Sequence, residues 1–299
     1  MRAAGLPLRN RSSTYLRADW LSIRIGSVVP FPRTCIIDIM PQLQPQVSVI
    51  VPAYRESANL AELTERVFSA TARAGIEAEL IIVDDNSPDD TRKVVETLAK
   101  NHPVRLIVRT QERGLSSAVL AGFSQAKYDS FLVMDADLQH PPEMIPDMLQ
   151  TLQQERCDFT IATRYAKGGE IGKDWPLHRR IVSRVARLIA RPLTPLSDPL
   201  SGFFGIHRRT WEEADGLDPI GYKIALEVYV KGGCRHPAEV PIRFEARRAG
   251  ESKLTRAVVG HYIAHLMKLY RYRFPWAMWV AGFASVGLLA AWMYVFLMC

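Results

Sequence analysis

Short apolar runs rich in β-branched residues recur along the first half of the chain, each followed by a stretch with helical spacing. Val47–Pro52 (VSVIVP) is a short apolar, β-branched run that stops at a proline, the pattern of a buried strand. Leu60, Leu63, Val67 and Phe68 then recur three and four residues apart, which places them on one helix face. Glu79–Asp85 (ELIIVDD) predicts a second strand, followed by a helix from about Thr91 to Lys100 with Asp89 or Asp90 as its cap. Val104–Val108, a helix near Ser116–Lys127, Phe131–Met134, a helix opened by Pro142, and Phe159–Thr163 continue the series. Regular alternation of strand and helix predicts an α/β fold with a Rossmann-like, doubly wound, mainly parallel sheet. Ligands of such sheets gather beyond the carboxyl ends of the strands, so the polar residues there are the ones that matter.

From 164 to 250 the alternation is lost. Glycine- and proline-rich joints (KGG from Lys167, RPLTP from Arg191, SDPLSGFFG from Ser197) read as long loops draped over the sheet. Within this region Leu177–Leu193 sets Arg180, Arg184, Arg187 and Arg191 on one stripe and Ile181, Val185, Leu188 and Ile189 on the other. That pattern suits an interfacial amphipathic helix as well as an ordinary surface helix. Leu254–Tyr272 reads as a second amphipathic stretch. It leads into residues 274–299, which carry no charge and are long enough to span a bilayer. Trp276, Trp279, Trp292 and Tyr294 suit the two interfaces, and Lys268, Arg271 and Arg273 before the span place the preceding domain in the cytoplasm. The expected organisation is a basic, disordered extension (1–46), an α/β domain (47–250), a juxtamembrane helix (251–273) and one transmembrane anchor (274–299). The first 39 residues, rich in arginine, read equally as a transit peptide, a disordered arm or a start-site artefact before Met40.

Composition narrows the classes. The chain has 299 residues, 48% hydrophobic and 23% charged, which excludes a disordered, collagenous or coiled-coil protein. Its four cysteines have no paired spacing and its seven histidines no ligand spacing, so neither a disulfide scaffold nor a zinc ribbon is expected. The net charge of +7 is unevenly spread: 11 basic and 18 acidic residues lie between 47 and 163, against 21 basic and 11 acidic between 164 and 274. An acidic half can hold a cation, and a basic half phosphates or a lipid surface. No nucleic-acid reading motif accompanies the basic excess, so no nucleic-acid partner is expected.

Three strand ends carry chemistry. MDADLQHPPE (Met134–Glu143) places Asp135, Asp137 and Gln139 where a strand exits, an oxygen donor set suited to Mg²⁺ or Mn²⁺ bridging a diphosphate. PAYRESANL (Pro52–Leu60) offers Tyr54 as a flat surface for a base and Glu56 as an acceptor. In VDDNSPDD (Val83–Asp90), Asp85 is the candidate for ribose or base donors, while Asp84 shapes the turn. No G-x-G-x-x-G follows the first strand, which argues against a dinucleotide oxidoreductase. Arg164, Arg179, Lys223, Arg247 and Lys253 are candidate phosphate ligands of the basic half.

These motifs, with RTQERGLSSAV (Arg109–Val119), ATRY (Ala162–Tyr165), DPLSGFFG (Asp198–Gly205), GYKIALEV (Gly221–Val228) and GESKL (Gly250–Leu254), occur in an order that resembles the dolichol- or polyprenol-phosphate mannosyltransferases of glycosyltransferase family 2, which have the GT-A fold. The resemblance implies that Pro52, Tyr54, Glu56, Val83 and Asp85 contact the nucleotide. It implies that Asp135, Ala136, Asp137 and Gln139 surround the metal and diphosphate, and that Arg164, Arg247 and Lys253 handle phosphates. Asp137 and Arg164 would carry the catalysis, and Arg179, Lys223 and Arg247 would hold a lipid phosphate. The implied reaction is inverting, metal-dependent transfer of mannose from GDP-mannose to dolichyl or polyprenyl phosphate at a membrane, with an auxiliary membrane subunit left open. A UDP-glucose-dependent glucosyltransferase and a catalytically silent nucleotide-sugar binding subunit are the alternatives.

Overall fold

The computed structural model describes residues 44–169, 177–218, 221, 223–244 and 256–276. The expectations for the basic extension up to residue 43, for Arg247 and Lys253, and for the anchor from residue 277 onward fall outside the described residues, as does the side chain of Arg179. Among the described residues no helix is long and apolar enough to cross a membrane.

Seven strands form one sheet in the order β3-β2-β1-β4-β6-β5-β7. They are β1 (Gln46–Ala53), β2 (Glu77–Asp84), β3 (Val104–Val108), β4 (Ser130–Val133), β5 (Phe159–Thr163), β6 (Phe204–His207) and β7 (Pro237–Pro241). The helices are α1 (Ser57–Arg73), α2 (Thr91–Leu98), α3 (Leu115–Gln125), α4 (Ile145–Leu152), α5 (Leu177–Ala190), α6 (Arg208–Glu212), α7 (Ile224–Lys231) and α8 (Arg256–Arg273), with a 3-10 turn at Pro142–Met144. The first five strands are those the apolar runs predict, and β3 and β5 match residue for residue. The loop-like stretch after residue 164 holds two more strands than its composition suggests. One of them, β6, runs antiparallel between β4 and β5, so the sheet is mixed but parallel-rich.

Continuous apolar strands arise because both faces of the sheet are covered. Val47, Val49, Val51, Leu80 and Ile82 face one buried cluster with Leu60, Leu63, Val95 and Met148 of α1, α2 and α4. The alternate residues Ile50, Ile81 and Val83 face a second cluster with Val119 and Phe123 of α3, Leu226 of α7, and Leu266 and Leu269 of α8. Each such side chain, fully buried, stabilises the fold by about 1.5–3 kcal/mol.

Register sets the site. β1 pairs in parallel with both β2 and β4, so the carboxyl ends of all three lie side by side. Val133 of β4 and Ile161 of β5 both pair with Phe204 of β6. Two residues further along each strand path, Asp135, Gly202 and Thr163 therefore come to the same edge. The close approach needs glycine at 205, where a Cβ would collide with Leu132 and come within 2.8 Å of Thr160 Cγ2.

A buried charge cluster ties α7 to α8. Glu227 Oε1 accepts from Lys231 Nζ at 2.7 Å and from the Asp218 amide at 2.8 Å, and its other oxygen lies 3.4 Å from His265 Nε2. Burial pushes the Glu227 carboxyl up, but His265, Lys231 and the Asp218 amide outweigh it and hold its pKa down at about 2.

Candidate active site

Among the described residues, the non-glycine residues with positive φ are Arg55, Asn86 and Leu138, at +60°, +55° and +61°. Each follows a strand at this edge: β1, β2 and β4 respectively. Backbone strain of this kind persists only where surrounding contacts over-determine it, and it collects at functional sites. The contacts here are direct. The Arg55 amide donates to Ser87 Oγ at 2.9 Å, and the Ser57 amide donates to Asp89 Oδ2 at 3.2 Å, so the exits of β1 and β2 brace one another. Asp89 also accepts from Thr91 Oγ1 at 2.7 Å, whereas Asp90 at the start of α2 makes no capping bond.

Pro52 and Val83 lie in the β1–β2 ladder, opposite each other, with Val83 fully buried. Tyr54 leaves the ladder at the edge, with the guanidinium carbons of Arg55 and Arg113 at 5.3 and 5.9 Å from its ring centroid. Glu56 accepts from Asn59 Nδ2 at 2.7 Å at the start of α1. Asp84 binds the Ser87 amide at 3.0 Å, the turn-shaping role read for it. Asp85 is more occupied than the sequence suggests. Its Oδ1 accepts from Arg109 Nε at 2.8 Å and also from Arg109 Nη2, and its Oδ2 accepts from the Gly114 amide at 2.7 Å. Arg109 in turn reaches Ser117 Oγ at 2.7 Å. Asp85 thus fixes the Arg109–Gly114 loop at the start of α3, and a ligand must share Oδ2 with Gly114.

After β4 the chain turns tightly. Asp137 is buried, and its Oδ1 accepts the Gln139 amide at 3.1 Å. Ala136 is buried beside it. The Asp135 amide donates to His140 Nδ1 at 3.1 Å, which places the imidazole proton on Nε2. Burial lowers the His140 pKa and keeps the ring neutral, packed against Phe203 and Phe244 at 5.5 and 5.6 Å. The Asp135 side chain keeps 37% of its surface exposed. Gly202 is the reason: a Cβ there would stand 3.0 and 3.1 Å from the two Asp135 carboxylate oxygens and 3.2 Å from His140. Gly202→Ala is therefore expected to displace Asp135 by a few tenths of an ångström. It should lower turnover by about tenfold to a hundredfold with an unchanged melting temperature. Steady-state rates beside a thermal melt check this, and full activity in the variant would refute the steric reading.

Cations stand across from the aspartates. Arg164, directly after β5, grips the fully buried Asp198 with both prongs, Nε to Oδ2 at 2.7 Å and Nη2 to Oδ1 at 3.0 Å. Burial alone would depress the Arg164 pKa, but Asp198 raises it further, so the guanidinium stays charged. Lys223 stands just before α7, where its side chain makes no capping bond and instead donates to the Leu200 carbonyl at 2.7 Å. It is half-buried; burial and the neighbouring Arg164 charge lower its pKa against the pull of Asp135 and Asp198. Asp135, Asp198, Arg164 and Lys223 thus share one electrostatic neighbourhood. Sequence reasoning left Asp198, Arg109 and Gly202 without a role, although Asp198 and Gly202 sit inside the DPLSGFFG stretch and Arg109 opens RTQERGLSSAV.

Among the described residues no three His, Cys, Asp or Glu side chains converge as a ready-made metal cluster. Asp135, Asp137 and Gln139 follow β4 on one turn, and two carboxylates with an amide are the kind of oxygen donors that Mg²⁺ takes.

A family model described as "Glycosyl transferase family 2" matches residues 48–213, which covers most of β1, the elements from α1 through α6, and every site element from Pro52 to Asp198. The chain belongs to glycosyl transferase family 2. The family-2 resemblance read from the motifs holds, and the protein is a glycosyltransferase. Dolichol-phosphate mannosyltransferase of Mycosarcoma maydis is 49% identical over 238 residues, spanning 77% of this chain and 81% of that protein. The Saccharomyces cerevisiae protein of the same name is 48% identical over 236 residues, spanning 76% of this chain and 88% of that one. The Pyrococcus furiosus protein is 42% identical over 231 residues, 76% of this chain and 64% of its own length. Among solved structures, mannosyl-3-phosphoglycerate synthase from Rubrobacter xylanophilus superposes with a TM-score of 0.59 at 19% identity, over 78% of this glycosyltransferase and 75% of that chain. Glucosyl-3-phosphoglycerate synthase from Mycobacterium tuberculosis, in a complex with Mn²⁺, UDP and product, gives 0.55 at 19% identity, over 77% of this chain and 80% of that one. These likenesses establish the GT-A-like mixed α/β fold.

Proposed function

We propose that this glycosyltransferase moves mannose from GDP-mannose to dolichyl or polyprenyl phosphate, with inversion, giving polyprenyl-phosphate mannose and GDP. The reading is carried by the relatives at 42–49% identity that are named for this activity. Pro52, Tyr54, Glu56, Val83 and Asp85 would line the nucleotide. Asp135, Asp137 and Gln139 would hold Mg²⁺ or Mn²⁺, whose charge offsets that of the departing diphosphate. Arg164 and Lys223 stand where a second anion can be drawn up to the donor, and Arg179, Arg247 and Lys253 would add to them. The acceptor phosphate is ionised near neutral pH, so its oxygen attacks the anomeric carbon without a side-chain base. The residues align the two anions and neutralise their repulsion through an oxocarbenium-like transition state.

A lipid acceptor suits the helices. On α5, Ile181, Val185 and Leu188 are 55%, 49% and 70% exposed; on α8, Ile263 and Met267 are 51% and 60% exposed, and Trp276 just beyond is 63% exposed. Exposed apolar rows of this size on neighbouring helices, beside Arg180, Arg184 and Arg191, match an interfacial surface. A single C-terminal span, with the catalytic domain on the cytoplasmic face, belongs to the same proposal.

The test is transfer of radiolabel from GDP-mannose, compared with UDP-glucose, into organic-extractable lipid by full-length protein in vesicles carrying polyprenyl phosphate. Label is expected from GDP-mannose alone, to vanish in EDTA and to return with Mg²⁺ or Mn²⁺. Label from UDP-glucose, or donor binding with no transfer from either sugar, would overturn the assignment.

A further inference from the structure

Within the arginine stripe along α5 and just past its end, one member does not face outward. Arg180 and Arg184 of α5 and Arg191 beyond it are exposed, but Arg187 is half-buried, with its guanidinium carbon 3.4 Å from the centroid of the Tyr165 ring. Its Nη1 donates to the Ser197 carbonyl at 3.2 Å. Its Nε is buried and finds no hydrogen-bond acceptor, so the ring face is what that edge of the fork meets. Tyr165 is held at its other end too, since its hydroxyl lies 2.9 Å from Ser183 Oγ, one turn earlier on the same helix.

The two residues Arg187 touches are the chain neighbours of the Arg164–Asp198 pair: Tyr165 follows Arg164, and Ser197 precedes Asp198. The Tyr165 ring is shared, because the Arg164 guanidinium lies 5.6 Å from its centroid. The segment that begins at Ser197 continues through Leu200, whose carbonyl holds Lys223, to Gly202 against Asp135. α5 is also joined to α8, through Tyr262 Oη donating to the Ala186 carbonyl at 2.8 Å and Tyr270 Oη to that of Ile189. A single planar cation therefore connects the helix pair with the exposed apolar rows to both halves of the acceptor-side ion pair.

We infer that Arg187 is a positioning residue of the acceptor side. It acts through Tyr165 and Ser197 to hold Arg164, Asp198 and the loop to Gly202 in reactive register with α5. The inference rests on the reading above that the acceptor is a lipid phosphate and that α5 is part of an interfacial surface. Its planarity is required as well as its charge: a lysine in its place keeps the charge but can neither stack nor fork.

The experiment compares full-length wild type, R187A, R187K, Y165F, Y165L and R187A/Y165L in vesicles containing polyprenyl phosphate. The readouts are kcat, acceptor KM, binding of the donor nucleotide and melting temperature. Rates are counted per donor-binding site, so unfolded protein is excluded. R187A, R187K and Y165L are each expected to lose about tenfold to a hundredfold in kcat with donor binding unchanged. Y165F, which keeps the ring, should stay within about twofold, and the double variant should be no slower than R187A, because the two residues act as one unit. Wild-type kcat in R187K would show that charge alone suffices and overturn the inference. So would a rise in acceptor KM at constant kcat, the mark of direct phosphate contact, or additive losses in the double variant. Wild type that binds donor yet labels no lipid phosphate fails the functional reading instead, so the two failures are distinct.

Discussion

Asp137→Asn is expected to leave a folded protein whose turnover falls by about a thousandfold or more, a loss of roughly 4 kcal/mol of transition-state stabilisation. The substitution separates two roles of the same side chain. As a turn former, Asp137 accepts the Gln139 amide through Oδ1, and asparagine retains that acceptor. As part of an oxygen donor set beside Asp135, it supplies a negative charge that asparagine cannot. Asp137→Ala should cost activity to the same degree and, in addition, stability, because the Gln139 amide loses the carboxylate that closes the turn. Thermal melts and lipid-extraction rates, run side by side with a titration of Mg²⁺ and Mn²⁺, give the test. Asp137→Asn that turns over within tenfold of wild type at saturating metal would remove the aspartate from the reaction.

Why Asp137 could be read from sequence while its supports could not is a matter of range. Strands β1, β2, β4 and β5 are legible because both their faces are buried, so each is a largely apolar run, and the edge strand β3 is legible from its β-branched residues despite the exposed Arg105. β6 is four residues with a glycine at its centre, and only its close fit between Leu132 and Thr160 makes it a strand. β7 begins and ends in proline and lies at the sheet edge, where proline is tolerated, so its composition resembles a loop. The site divides in the same way. Asp135, Asp137 and Gln139 declare themselves by standing at a strand exit. The Asp85–Arg109 and Arg164–Asp198 pairs join loops 24 and 34 residues apart, and no local period records them. The stripe of Arg180, Arg184, Arg187 and Arg191 is visible in the sequence, but helical spacing cannot tell that Arg187 meets Tyr165 instead of solvent.

The Arg164–Asp198 pair yields the second large effect, and it separates folding from chemistry. Asp198 has no exposed surface and Arg164 little, so removing one partner strands a charge inside the protein. Asp198→Ala is therefore expected to destabilise by about 3–5 kcal/mol, typical for a broken buried pair. For a domain of this size that lowers the melting temperature by on the order of 6–20 °C. Replacing both partners with apolar residues of similar bulk removes the stranded charge and can restore stability, as buried pairs elsewhere tolerate. The double variant Arg164→Met with Asp198→Leu should accordingly melt near wild type. Its turnover should still fall by about a hundredfold or more, because the cation that faces Asp135 across the site is gone and two anionic substrates must meet without it. Melting curves and single-turnover rates on wild type, Asp198→Ala and the double variant distinguish the cases. If the double variant regains both stability and rate, the pair is scaffolding, and Lys223, which donates to the Leu200 carbonyl, is left among the described residues as the candidate cation for the acceptor.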